Sequence, residues 1–302
     1  MRTHSNGASC ILCLFAAVAL LATASQLFAV TTIDQYVVYG ENGVKIGGNS
    51  TVNGLVGARN ADPANHNAIF LNGGAIANGD ARSGTNIDLQ NNAHITGTLY
   101  ISNGATFTLG SGSTIGGTNF GNPDLPIFPS ATSFSAGSSN VTTQTSPLTP
   151  GSYGSVTYGN GGDLNMTAGT YFMASLTLSG NTQVHLDTTG GPINVFVTGN
   201  VSVDGRDAVV TGSNGINWEI HGDWTQGGGS TGWAGILFVP NGTATIGSGS
   251  GVTDFTGQIW ANSVDIQHSV TVMIPEPTTI TLAMIGFAGL ALLARKTTRR
   301  HA

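Results

Sequence analysis

The sequence predicts an all-β protein folded as a parallel β-helix, or β-solenoid, with coils of about 17–20 residues. Composition is the first observation behind this prediction, because glycine supplies 45 of 302 residues and charged residues only 8%. The exposed faces of helices are rich in Glu, Lys and Arg, which are scarce here between the two ends of the chain. The second observation is a repeat of short apolar runs between turns rich in Gly and Asn.

The repeat is clearest in the first half of the chain. Ile69 and Leu71 recur as Ile87 and Leu89, and Phe107 follows at a similar interval. An interval of this size, with three short strands in each coil, is typical of a β-solenoid, in which each coil packs against the coils above and below it. Further pairs at this interval are Ile76 with Ile95, Ile95 with Ile115, Leu178 with Val197, and Val184 with Val201.

Asn-Gly dipeptides separate many of these runs, as at Asn42-Gly43, Asn72-Gly73 and Asn103-Gly104. Tight corners between strands require positive φ, which Gly adopts freely and Asn tolerates better than most residues. Asn-Gly also favours β-hairpins, so an antiparallel sandwich is the alternative fold.

Composition divides the chain into five segments. Prolines at 123, 126, 129, 147 and 150 cannot donate to a strand ladder, so this stretch should link two blocks or pack beside the solenoid. The expected segments are a signal peptide (1–29), a first solenoid block (30–119), a connector rich in Pro, Ser and Thr (120–150), a second, adhesin-like block (151–273), and a C-terminal sorting signal (274–302).

The N-terminus has the pattern of a secretory signal peptide. A weakly basic start precedes an apolar run and small residues, with signal peptidase expected to cut after Ala24 or Ala29. Cys10 and Cys13 are the two cysteines of the sequence and lie in this segment. The mature chain is therefore expected to have no disulfide and no cysteine-based metal site.

The C-terminus combines a Pro-Glu-Pro motif, an apolar run from 278 to 294, and a basic cluster. The run is at the short limit for a transmembrane helix, and the cluster would hold its end in the cytoplasm. The motif is Pro275, Glu276 and Pro277, and the cluster is Arg295, Lys296, Arg299 and Arg300. This tail resembles the PEP-CTERM sorting signal of exopolysaccharide-producing Gram-negative bacteria.

That resemblance implies recognition of the Pro-Glu-Pro motif by an exosortase, a membrane cysteine transpeptidase that removes the tail. The basic cluster would stop transfer, so the chain would be anchored in the membrane transiently. A plain anchor that is never processed is the alternative. The second block, with runs such as Gly190-Gly191-Pro192-Ile193, is similar to the adhesin-like β-helical domain of PEP-CTERM surface proteins. The resemblance implies a structural or adhesive role at the cell surface or in a biofilm matrix with exopolysaccharide, and carries no catalytic site.

Charge excludes one class of partner. Between positions 30 and 274 the sequence has four basic and fourteen acidic residues, a balance of about −10. Such a body cannot neutralise a run of phosphates, so nucleic-acid binding is disfavoured. No cofactor is expected.

Two His-x-Asp pairs, His185 with Asp187 and His221 with Asp223, each lie on one face of a strand. A metal needs at least three converging ligands, so no metal site is predicted. Asp204, Arg206 and Asp207 bring a basic group to two carboxylates, which keeps a β-helix polysaccharide lyase or glycosidase as an alternative. The leading prediction is a protein that is not an enzyme.

Aromatic residues suggest where a polysaccharide could bind. Trp218 and Trp260 are interpreted as core or cap residues, and Trp224 with Trp233 as an exposed pair that could stack on sugar rings. The pairs Thr106/Thr108 and Thr243/Thr245 could form ice-binding rows, but they are not expected to stack at the coil interval.

Overall fold

A computed structural model describes residues 32–274, apart from 65, 143–146, 160, 181, 205–206 and 250 and the side chain of Ser248. Within the described chain no helix is both long and apolar enough to cross a membrane. The chain begins with a 3₁₀ turn at Ile33–Gln35 and continues through short strands.

The first strands are β1 (Tyr36–Gly40), β2 (Val44–Ile46), β3 (Thr51–Asn53), β4 (Leu55–Ala58), β5 (Ile69–Leu71), β6 (Ile76–Asn78), β7 (Ala81–Ser83), β8 (Ile87–Leu89), β9 (His94–Ser102), β10 (Phe107–Leu109) and β11 (Thr114–Gly121). The later strands are β12 (Val141–Thr142), β13 (Gly151–Ser152), β14 (Ser155–Tyr158), β15 (Leu164–Thr167), β16 (Gly169–Met173), β17 (Ser175–Leu178), β18 (Val184–Asp187), β19 (Ile193–Val197), β20 (Val201–Val203), β21 (Ala208–Thr211), β22 (Ile216–Ile220), β23 (Trp224–Gly227), β24 (Trp233–Ser248), β25 (Thr253–Ile266) and β26 (Val270–Met273).

Neighbouring coils pair in parallel, as a β-solenoid requires. Ile69 lies opposite Ile87, and Ile87 opposite Phe107, which confirms this part of the predicted repeat. All strand pairings among the described residues are parallel, so the alternative antiparallel sandwich is wrong. Between coils that follow one another in the sequence, paired residues are separated by as few as 15 positions, at Val141 and Val156, and by as many as 25, at Val56 and Ala81. The coil length therefore varies more than predicted.

Several predicted pairs fall on different strands of the coil. Val184 pairs with Ala208 on one sheet, whereas Val201 pairs with Leu176 on another. Likewise Leu178 pairs with Val203, and Val197 with Met173. Ile76 and Ile95 lie on strands that do pair, but one register position apart, and Ile95 pairs with Ile115 as predicted. Each coil carries several strands with the same alternation, so a spacing close to one coil does not identify the strand.

The axial order of the coils differs from their order in the sequence. β25 pairs with β1 and β2, so Ile259 lies opposite Val38 and Val264 opposite Val44. β26 likewise pairs with β3. Along the solenoid axis, the coils of residues 141–273 therefore come first, and the coils of residues 36–121 follow them directly. Residues 122–140, called the strap below, connect the end of the stack to its start.

The interior is one apolar cluster that runs through the coils. Inward positions alternate with outward ones, as in the buried Val201 and Val203 on either side of the half-buried Ser202. Corners depend on glycine where coils touch: Gly257 has φ +149°, and a Cβ there would lie 1.9 Å from the carbonyl oxygen of Gly235. The sequence is rich in glycine partly because such contacts leave no room for a side chain.

Candidate functional site

Two strand faces of the solenoid have different chemistry. The aromatic face is the outward row of one set of paired strands, in register from Phe172 and Phe196 through Glu219, Phe238 and Trp260 to Tyr39. The hydroxyl face is the outward row of a second set of paired strands in the same long sheet, formed by Thr142, Thr157, Thr177, Ser202, Thr225 and Thr245.

The strap covers the aromatic face. The Phe134 ring centroid lies 5.3 Å from that of Phe196 and 4.5 Å from that of His221. Further along, the Phe128 centroid lies 5.6 Å from that of Phe238. These distances are within the range of favourable ring contacts, so this apolar face is already occupied by the chain's own segment.

Hydrogen bonds fix the strap at several points. The Thr132 amide donates to Glu219 Oε1 at 2.6 Å, and Arg82 Nη1 donates to the Pro123 carbonyl at 2.8 Å. Arg59 and the Tyr39 hydroxyl both donate to the Pro126 carbonyl. Burial beneath the strap raises the pKa of Tyr39 to about 12, because ionisation would place a charge in an apolar site.

The hydroxyl face is open. Within the described chain, no intramolecular hydrogen bond uses the hydroxyls of Thr157, Thr177, Ser202, Thr225 or Thr245. Adjacent coils in a parallel sheet lie about 4.8 Å apart, so six stacked side chains form a straight row roughly 24 Å long. The row presents neutral donors and acceptors at a regular spacing.

Charged and aromatic side chains continue this row on the following coils. The next outward positions are Asp265, Lys45, Phe70 and Asp88. Lys45 Nζ lies 3.1 Å from Asp265 Oδ1, and Gln90 Nε2 donates to Asp88 Oδ2 at 2.8 Å. A cleft of about 420 Å³ opens here, within the size range of ligand sites, and Phe70, Lys45, Asp62 and Asp265 line it.

The predicted exposed tryptophan pair is wrong. Trp224 and Trp233 are both 0% exposed, and Trp218 is 1% exposed. Trp224 occupies an inward row, opposite Val201 and Ala244, so its ring is enclosed by neighbouring coils. A sugar outside the solenoid cannot stack on it. Trp218 is a core residue, and Trp260 is half-buried with its Nε1 donating to the Tyr36 carbonyl.

Three of the four residues in the two His-x-Asp pairs, His221, Asp223 and Asp187, have partners in the fold. His221 Nε2 lies 2.9 Å from Glu219 Oε1 beneath the strap, and Asp223 Oδ1 accepts from the Thr243 amide in the next coil. Asp187 accepts hydrogen bonds from Thr189, which lower the pKa of Asp187. Across the described residues, no group of three His, Cys, Asp or Glu side chains is placed to hold a metal ion.

The acidic turn considered for catalysis is only partly described. Asp207 Oδ1 accepts from both the amide and the hydroxyl of Thr231, which joins adjacent coils, and Asp204 is exposed. Arg206 lies outside the described residues. The predicted processing residues also lie outside them: Ala24, Ala29, Pro275, Glu276, Pro277, Arg295, Lys296, Arg299 and Arg300.

The sequence interpretation missed the threonine row. Thr245 lies opposite Thr225, so the expectation that Thr243/Thr245 would not stack at the coil interval is wrong for Thr245. Thr108 instead lies opposite Asp88. A usable signal was present in the repeated pattern of one hydroxyl residue between two apolar ones, as in Val156-Thr157-Tyr158 and Leu176-Thr177-Leu178.

Comparisons with known proteins give two similarities. A family model described as a domain of unknown function, DUF7305, matches residues 130–274. A crystal structure of an ice binding protein from an Antarctic bacterium, Flavobacteriaceae, is similar over 90% of this chain and 87% of that chain, at 14% identity and a TM-score of 0.32. No curated protein matches the sequence.

Proposed function

We propose that the protein is a non-enzymatic structural and adhesive protein of the cell surface or extracellular matrix, which uses its hydroxyl face to bind exopolysaccharide. The open row from Thr157 to Thr245 is the observation that carries this proposal. A polysaccharide carries hydroxyl groups at regular intervals along its chain, and the row offers neutral hydrogen-bond donors and acceptors at regular intervals to bind them. The strap covers the aromatic face, whereas the hydroxyl face remains open to a ligand.

Binding is tested by co-sedimentation of residues 30–274 with purified exopolysaccharide from the producing cells. The variant Thr177→Val/Thr225→Val/Thr245→Val removes three hydroxyls while keeping β-branched side chains of similar shape. We expect the variant to sediment with at least tenfold less polymer than the wild type. The matched control is Thr211→Val, which changes an exposed threonine on another sheet. Equal losses in both variants would contradict a role of the hydroxyl face.

The route to the surface is proposed from the two ends of the sequence. A signal peptide would export the chain, and an exosortase would remove the tail near Pro275, Glu276 and Pro277. The experiment compares the size and location of the protein in cells with and without exosortase, and after deletion of residues 275–302. Unchanged size and location in both comparisons would refute this route and leave the binding proposal untouched.

Ice binding is a second candidate, favoured by the same row of stacked threonines. A flat row of hydroxyl and methyl groups at a constant interval could match the repeat of a crystal surface. The test is the inhibition of ice growth by residues 30–274. Loss of inhibition in the triple valine variant would favour this candidate, and no inhibition by the wild type would remove it.

A further inference from the structure

We propose that the cleft beside Phe70 binds a hexosamine unit that carries a free ammonium group, an inference that rests on the proposed polysaccharide binding and names its sugar class. Phe70 is half-buried and occupies an outward position, between Lys45 on one coil and Asp88 on the next. No ring among the described residues packs on it. Phe70 also lines the cleft, so part of its ring borders the space in which a ligand would bind.

An inserted loop builds one wall of this cleft. The step from Ile46 to its partner Leu71 is 25 residues, whereas the next step, from Leu71 to Leu89, is 18. The additional residues lie in the loop between β4 and β5, which places Asp62 and Ala64 against the cleft. The row continues with regular coils after this insertion, so the wall is a local addition to the hydroxyl face.

Internal hydrogen bonds order the loop. The Asp62 amide donates to the Asn67 carbonyl at 2.9 Å, and the His66 amide donates to the Asp62 carbonyl at 2.8 Å. The Ala64 amide donates to Asp62 Oδ1 at 2.8 Å. The wall is thus formed before a ligand binds, which reduces the ordering cost of binding.

Charge around Phe70 selects the ligand. Asp62 and Asp265 supply two carboxylates to the cleft, and Lys45 supplies one ammonium group that is paired with Asp265. Asp88 adds a third carboxylate beside Phe70 on the next coil, outside the lining of the cleft. The surroundings therefore have an excess of negative charge. An acidic sugar would be repelled, whereas an ammonium group above the ring gains both the attraction of the carboxylates and a cation–π contact.

Phe70 and the carboxylates have separable roles in this site. The ring supports the apolar face of the sugar, and this contact does not depend on the amino group. The carboxylates attract the ammonium group, so their contribution weakens as salt concentration rises. An N-acetylated hexosamine keeps the contact with the Phe70 ring and loses the attraction to the carboxylates.

The test is a calorimetric titration of residues 30–274 with a glucosamine tetramer and, as a matched ligand, an N-acetylglucosamine tetramer. We expect the glucosamine tetramer to bind about tenfold more tightly at low salt, and this advantage to fall as salt is added. Phe70→Ala should weaken the binding of both ligands about tenfold or more. Asp62→Asn removes a charge that lines the cleft and keeps the Oδ1 acceptor for the Ala64 amide, so it should weaken the binding of the glucosamine tetramer only. Phe70→Leu retains an apolar side chain without a π face, and it should lose binding while the solenoid remains folded.

Phe120→Ala is the matched control, since Phe120 is a 54% exposed aromatic residue in the last coil. It should bind both ligands as the wild type does. Equal affinity for the two ligands, no binding of either, or unchanged binding by Phe70→Leu would overturn the proposal. If the wild type then still sediments with exopolysaccharide, only this site is wrong; if it does not, the proposed function fails as well.

Discussion

Replacing Trp224 tests whether the tryptophans form the core or a ligand site. The ring centroid of Trp224 lies 5.4 Å from those of both Trp218 and Trp233, and the centroids of the latter two are 5.6 Å apart. All three rings are buried between neighbouring coils. The variant Trp224→Ala would leave a cavity in the middle of this cluster.

The loss of stability expected for Trp224→Ala can be estimated from other truncations of buried aromatic side chains. Truncation of a buried Phe or Trp to Ala lowers the free energy of unfolding by about 3–5 kcal/mol. Trp224 Nε1 is buried without a hydrogen-bond partner among the described residues, and its removal relieves part of that loss. We therefore expect about 3 kcal/mol for Trp224→Ala. Trp224→Phe removes the unpaired N–H and leaves a smaller cavity than Trp224→Ala, so it should lower the free energy of unfolding by about half as much, roughly 1.5 kcal/mol.

The measurement is urea unfolding of residues 30–274 followed by circular dichroism, with the free energy taken from the midpoint and the slope. Phe120→Ala is the control, because Phe120 is exposed and its ring stacks on that of Phe107 alone among the described rings, so it should contribute less than about 1.5 kcal/mol. A loss below about 1 kcal/mol for Trp224→Ala, similar to that of the control, would refute the assignment of Trp224 to the core.

Three further predictions follow from the packing. Gly257→Ala places a Cβ 1.9 Å from a carbonyl oxygen of the adjacent coil, so it should lower the free energy of unfolding in urea by at least about 2 kcal/mol. Its control is Gly121→Ala, which has open space around the new Cβ and should lower this free energy by less than about 0.5 kcal/mol. Phe134→Ala should release the strap, so that limited proteolysis cuts residues 122–140 about tenfold faster while the coils stay folded. Burial raises the pKa of Tyr39 and of Tyr158 from 10.0 to about 12, so the folded state favours the neutral phenols. The free energy of unfolding should therefore be constant below pH 10 and fall by roughly 2–3 kcal/mol for each tyrosine as the pH rises to 12. The measurement is urea unfolding at each pH.

Local patterns in the sequence predict the solenoid but not its assembly. Alternation and spacing identify the row through Ile69, Ile87 and Phe107, because consecutive coils there have similar lengths. The pairing of Ile259 with Val38 joins strands from the two ends of the described chain. No local signal distinguishes this pairing from a simple stack of coils in chain order, so the permuted axial order and the path of the strap come from the structure.

The candidate site was predictable only in part. Trp224 belongs to the inward row by the same alternation that places Val201 and Val203 in the core, since Trp224 lies opposite Val201. A solvent-exposed ring could be expected only while the register was unknown. The cleft at Phe70 depends on an insertion in one coil, and a change in coil length hides which outward residues become neighbours.

The most direct test of the account blocks the hydroxyl face. Residues 30–274 contain no cysteine, so single cysteines at Thr225 or Thr211 can be coupled cleanly to polyethylene glycol maleimide. Thr225 lies in the middle of the hydroxyl row, and Thr211 is exposed on a different sheet. In co-sedimentation with purified exopolysaccharide, we expect coupling at Thr225 to abolish binding and coupling at Thr211 to leave it intact. Equal binding by the two coupled proteins would show that the hydroxyl face does not bind the polymer.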